Sequence, residues 1–231
     1  GELLNSVISE LASRVRSCIA LVKGWKGSEL IREKWGRDRP KKFAESLLEE
    51  DGARQTEEAI ATFLFADIEG FTQLTERLGA DGIVNLLNAY FGNMVEIIEK
   101  YDGVITQFQG DAILATFNIP IVNANHARNA LNAALEMRTQ SQTQKFLGQT
   151  VRARIGISTG SLIAGAVGAQ GRLNYTVHGD AVNLAARVEN LNKEYGTYIL
   201  ATESTMVDAQ EQEGVYMGET RVRGQSKPVK L

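Results

Sequence analysis

Residues 59–72 read Ala59-Ile60-Ala61-Thr62-Phe63-Leu64-Phe65-Ala66-Asp67-Ile68-Glu69-Gly70-Phe71-Thr72. An apolar run closed by an acidic residue predicts a buried strand over 61–66. A helix is expected to begin after Gly70, which stands Asp67 beside a helix N-terminus whose free backbone amides can hold phosphate oxygens. Beyond it, Ile83, Leu86, Leu87, Tyr90, Met94 and Ile97 recur with helical spacing. Val104 to Phe108 and Ala112 to Phe117 are strand-like, with Gln109, Gly110 and Asp111 turning between them. An alanine-rich helix is expected over 124–140, strands over Val151–Ile157 and Leu162–Val167, a helix over about Asp180–Tyr195, and shorter strands to the end. The order strand, helix, strand, strand, helix, strand predicts an α+β, ferredoxin-like βαββαβ core, an antiparallel sheet with helices on one face. Fold class alone names no function.

The 231 residues suit one catalytic domain plus an extra segment. With 43% hydrophobic and 23% charged residues, the composition is that of a soluble globular protein. A net charge of -3 argues against a nucleic-acid binder, which carries a basic balance. Cys18 is the only cysteine, which excludes an intrachain disulfide and a cysteine-rich zinc site and points to a reducing, cytoplasmic compartment. The longest strongly apolar stretch, 59–66, is too short to span a membrane, and the N-terminus does not read as a signal peptide.

Ahead of the core, Leu4, Ile8, Leu11, Val15, Cys18, Val22 and Trp25 alternate at four- and three-residue spacing. That pattern fits a parallel coiled-coil pair or an amphipathic helix folded on its own domain. Eight basic residues against three acidic ones between Lys23 and Lys42 form a linker-like or solvated run. Pro40 and the polar tract 49–58 mark a boundary. Residues 1–58 are therefore expected to be an N-terminal helical signalling segment and linker, and 59–231 the catalytic domain.

Asp67 follows one apolar strand and Asp111 precedes another. If those strands are neighbours, the two carboxylates meet at one sheet edge. Paired hard oxygen ligands of this kind suit Mg²⁺ or Mn²⁺ bound together with substrate phosphates. Singly, each aspartate reads as a turn or capping residue.

Phe65-Ala66-Asp67-Ile68-Glu69-Gly70-Phe71-Thr72 resembles the first metal motif of the class III nucleotidyl cyclases, and Gly110-Asp111-Ala112 resembles the second. Asn174 to Arg187, reading Asn-Tyr-Thr-Val-His-Gly-Asp-Ala-Val-Asn-Leu-Ala-Ala-Arg, resembles the family's signature helix and its approach. The likeness runs from about Ala61 to the chain end. It implies that Asp67 and Asp111, with the Ile68 carbonyl, bind two Mg²⁺ or Mn²⁺ per site, and that Gly70, Phe71 and Thr72 lie along the substrate. It implies that Asn183 and Arg187 are the transition-state pair, contributed by the opposite subunit of a homodimer. Arg223 stands where the family usually has a lysine reaching the triphosphate. The implied reaction is cyclisation of ATP to 3′,5′-cyclic AMP and pyrophosphate, with an upstream sensor or membrane domain beyond this chain and the catalytic domain on the cytosolic side.

The resemblance also points to two positions that set base choice, here Gln107 and Thr176. Thr176 fits the adenylyl pattern; Gln107 fits neither pattern. An amide donates and accepts, so it can address the adenine edge or, with a threonine hydroxyl, guanine. Adenylyl activity with some guanylyl activity is expected, a guanylyl cyclase or a silent regulatory dimer being the alternatives. Gly156, Gly160, Gly165, Gly168 and Gly171 lack the Lys-Ser/Thr of a P-loop and are read as tight strand connections. His126 and His178 lack a paired ligand and are read as structural. Trp25 and Trp35 are read as packing residues.

Overall fold

The computed structural model describes residues 57–119, 122–169, 172–223, 225 and 227–231, with the backbone alone for 57, 164–169 and 172–178. The coiled-coil-like stretch, the basic run, Cys18 and both tryptophans lie outside the described residues.

In chain order the elements are β1 (Glu57–Ile68), α1 (Phe71–Lys100), β2 (Val104–Gln109), β3 (Ala112–Phe117), α2 (His126–Thr143), β4 (Lys145–Phe146), β5 (Gln149–Thr150), β6 (Ala153–Ala169), β7 (Arg172–His178), α3 (Asp180–Tyr195), β8 (Ile199–Ala201), α4 (Glu203–Ala209), β9 (Glu219–Thr220) and β10 (Val229–Lys230). Two compact units result: one comprises 60–162 and 179–231, and the other includes 163–178, the outer part of the β6–β7 hairpin.

The main sheet runs β2-β3-β1-β6, with β7 and β8 also pairing with β6. Numbering the core strands 1 to 4, this is the order 2-3-1-4 expected of a ferredoxin-like core. Every residue of β3 is buried, as are Ala61 to Leu64 of β1. Full burial of a side chain such as Phe63 stabilises the fold by about 1.5–3 kcal/mol. On α1, Ile83, Leu86, Tyr90, Met94 and Ile97 are buried as their spacing predicts.

Five expectations are corrected. The chain after Tyr195 is not made of short strands alone, since α4 forms within it. The strands expected at 151–157 and 162–167 are one continuous strand, β6. The sheet is mixed, because β8 pairs parallel to β6. Helices cover both faces. Thr62 Oγ1 bonds His126 Nδ1 of α2 at 2.8 Å and Thr159 Oγ1 of β6 at 2.7 Å, so Thr159 points to the α2 side. Gly156, an odd number of residues away, then points to the other side, where α3 lies. A Cβ on Gly156 would fall 2.2 Å from the Ala185 carbonyl oxygen and the Glu189 nitrogen. Gly156 therefore serves close approach of helix and strand backbones within β6, not a tight connection.

Candidate active site

The β1–β3 register pairs Phe65 with Leu114 and Ala66 with Ile113. One step further, Asp67 lies opposite Ala112 and Asp111 lies beside Ile68. The β2–β3 connection is two residues long, between Gln109 and Ala112. Gly110 takes its first position at φ 64, a conformation open to glycine, and Asp111 falls at the second.

The two carboxyls meet. Burial first, then the hydrogen-bonded and charged contact with Asp67, pushes Asp111 up to about 6, while backbone amides of Asp111 and Ile68 pull the other way. Two acidic groups held together in this way are what a divalent cation relieves. Among the described residues no cluster of three or more His, Cys, Asp or Glu side chains forms a metal cage. A donor set of two carboxylates and the Ile68 carbonyl fits a hard cation that takes its remaining oxygens from substrate and water.

Next to the pair, Gly70 precedes α1 in the left-handed region, at φ 70 and ψ 27, with no side-chain cap and no acidic residue in the first turn. The first-turn amides, from Phe71 and Thr72 onward, point out of an uncapped helix end that favours an anion. A cavity of about 630 Å³ opens there, lined by Gly70, Gln73, Arg77, Arg152 and Arg154 among others. Arg154 pairs with the Glu69 carboxylate. The Tyr198 hydroxyl donates to the second Glu69 oxygen at 3.2 Å and accepts from Arg152 at 3.2 Å.

The remaining expected residues lie elsewhere. Gln107 is exposed on β2, just past a register shift between Ile105 and Gln107. Thr176 is on β7 opposite Gly165, in the other unit. On α3, Ala185 and Glu189 face β6, whereas Asn183 is exposed and Arg187 half-buried. Four residues apart, those two share the helix face turned away from β6. Arg223 is exposed on the connection between β9 and β10. Among the described hydrogen bonds, none joins Asn183, Arg187 or Arg223 to the Asp67–Asp111 cluster. His126 is buried against Thr62, with its other nitrogen 3.4 Å from Asp208.

Four residues near the site escaped the motif reading. Arg152 and Arg154 alternate with apolar neighbours in Val151-Arg152-Ala153-Arg154-Ile155, a spacing that places both on one side of an extended chain. Tyr90 and Glu189 are buried, and among the described residues the Tyr90 hydroxyl and one Glu189 oxygen have no hydrogen-bond partner. Burial, then the Asp67 charge, pushes Glu189 up to about 7 and raises the Tyr90 phenol well above its usual value. The helical spacing marked Tyr90 as a core position and carried no sign of the nearby carboxylates, and nothing in the sequence singled out Glu189.

The adenylate and guanylate cyclase catalytic domain family matches residues 53–230. Adenylate cyclase 1 of Rhizobium meliloti is 36% identical over 165 residues, which are 69% of this chain and 25% of that protein. The adenylyl cyclase CyaB from P. aeruginosa superposes with a TM-score of 0.65 at 31% identity, covering 76% of this chain and 93% of that one. The guanylyl cyclase Cya2 superposes with a TM-score of 0.67, also at 31% identity, covering 76% and 91%. The chain spans between 25% and 43% of the length of the curated relatives it matches. Among the described residues no helix is long and apolar enough to cross a membrane.

Proposed function

Because this chain belongs to the adenylate and guanylate cyclase catalytic domain family, we propose that it is an adenylyl cyclase, converting ATP to 3′,5′-cyclic AMP and pyrophosphate as a homodimer. The observation that carries this reading is the Asp67–Asp111 contact beside the uncapped N-terminus of α1.

Asp67, Asp111 and the Ile68 carbonyl would hold two Mg²⁺ or Mn²⁺, which when bound lower the pKa of the ribose 3′-hydroxyl and offset the charge of the triphosphate. The backbone amides of Phe71 and Thr72 donate to triphosphate oxygens. The 3′-oxygen attacks the α-phosphorus in line, a new ester bond forms as the bond to pyrophosphate breaks, and the hydroxyl proton passes to water. Asn183 of the partner subunit orients the ribose, and Arg187 of the partner subunit offsets charge on the five-coordinate phosphorus. Their outward face on α3 suits such a crossing, and a two-fold dimer makes two equal sites. No side-chain nucleophile is required, since positioning and charge stabilisation carry phosphoryl transfer. Arg223 reaches the triphosphate. It keeps a lysine's charge in a planar fork.

Gln107 and Thr176 read the base. A second reading, dual or guanylyl specificity, is favoured by Gln107, whose neutral amide lacks the charge-assisted bond a lysine would make. Residues 1–58 set how the two catalytic domains are juxtaposed, under an upstream sensor or membrane domain, with catalysis on the cytosolic side.

The test is cyclic nucleotide production from ATP and from GTP, each with Mn²⁺ and Mg²⁺, by the wild type, Asp67→Ala, Arg187→Ala and an equimolar mixture of the two variants. Cyclic AMP should dominate, vanish in each variant, and return in the mixture to about a quarter of the wild-type rate, because half the dimers hold one intact site. Dominant cyclic GMP would overturn the base assignment alone. No recovery on mixing would overturn the shared site, and no product at all would overturn the enzyme.

A further inference from the structure

Among the described residues Glu69 is the one acidic residue lining the cavity at the N-terminus of α1, with Arg77, Arg152 and Arg154. Arg77 engages the neutral Gln149 side chain at 2.6 Å, and Arg152 the Tyr198 hydroxyl. Among the described residues Arg154 alone meets an anion there, the Glu69 carboxylate. That carboxylate is steadied by the Tyr198 hydroxyl at 3.2 Å, and the Glu69 backbone N–H donates to the Arg152 carbonyl at 2.8 Å. The pair sits at the cavity wall with side chains only 18% and 30% exposed, so it is neither free in solvent nor sealed from a ligand.

A guanidinium fork binds carboxylate and phosphate oxygens with the same planar geometry. Glu69 therefore holds Arg154 in the arrangement that an incoming phosphate would need. We infer that Glu69 is a positioning residue, an internal counter-anion that keeps Arg154 oriented on the cavity wall and competes for it with the terminal phosphates of the bound nucleotide. On binding, Arg154 exchanges the carboxylate for phosphate, and Glu69 retakes it when pyrophosphate leaves. The exchange limits how tightly a polyphosphate is held, which favours product release. It rests on the reading above that the triphosphate enters at the N-terminus of α1.

The experiment is calorimetric binding of inorganic tripolyphosphate, with Mg²⁺, to the full chain and to Glu69→Gln, each with Arg154 intact and with Arg154→Leu. With Arg154 intact, Glu69→Gln should tighten binding about two- to fivefold, the scale of a partly exposed ion pair. In the Arg154→Leu background the same substitution should change nothing. Tyr198→Phe, which leaves the charges in place and frees Glu69, should tighten binding less and in the same direction. Unchanged or weaker binding in Glu69→Gln overturns the inference, and so does equal tightening without Arg154. Tightening in a protein that makes no cyclic nucleotide would sink the cyclase reading and keep this one; turnover without tightening would do the reverse.

Discussion

Replacing Asp111 with asparagine should stabilise the metal-free protein while abolishing its activity. Asp111 is pushed from 3.8 to about 6, by burial first and Asp67 second. At full weight that difference corresponds to about 3 kcal/mol at neutral pH. Because the side chain is partly exposed, solvent screening reduces it to about 1–2 kcal/mol. The folded protein keeps a proton on Asp111 between about pH 4 and pH 6, where the unfolded chain has lost it. Stability therefore falls as pH rises through that interval, and the loss is complete above it. The asparagine cannot ionise, and its amide can donate to Asp67. For a chain of this size the gain is about 2–8 °C in Tm. Thermal unfolding in EDTA at pH 7.5 and pH 5 reads it, with the gap between variant and wild type shrinking at pH 5. Saturating Mn²⁺ should reverse the ranking, since a ligand at a hundred times its Kd adds about 2.7 kcal/mol to the form that binds it. A variant less stable than wild type in EDTA at pH 7.5, or equally stabilised at both pH values, would refute the reasoning.

Gly156→Ala should destabilise the fold by about 3 kcal/mol in denaturant titration, because the new methyl meets backbone atoms of α3 that have no rotamer to yield. Arg187→Ala should leave the free energy of unfolding within about 0.5 kcal/mol of wild type, as expected of an outward-facing side chain, yet lower kcat at least about a hundredfold in the cyclase assay. Gln107→Lys should raise the preference for ATP over GTP in kcat/KM by about tenfold, through one charge-assisted bond to the base.

Much of this was legible in the chain because the responsible forces are local. Apolar runs in 61–66 and 112–117 bury themselves whatever their neighbours, so both strands formed where expected. The 180–195 helix also appeared where its spacing placed it. Asp67 and Asp111 stood out at strand ends, where each singly reads as a turn or capping residue, and the resemblance of their motifs singled them out as a pair. The glycines of β6 misled for the opposite reason. Glycine marks a turn and a close helix contact with the same letter, and the partner backbone that distinguishes them is about thirty positions away at Ala185 and Glu189.

By itself, then, the sequence determined the order of the core strands and helices and the helix start beside Asp67, consequences of spacing and composition within a few residues, while the pairing of Asp67 with Asp111 rested on the resemblance of their motifs to a family. Only the tertiary structure decided that Asp67 and Asp111 touch and that Asp111 holds its proton more tightly for it, that α3 covers the opposite face from α2, and that Glu69 clasps Arg154 across 85 positions of chain. Those are electrostatic and steric facts about groups distant in sequence. Their energies depend on burial and separation, quantities that exist only once the chain is folded.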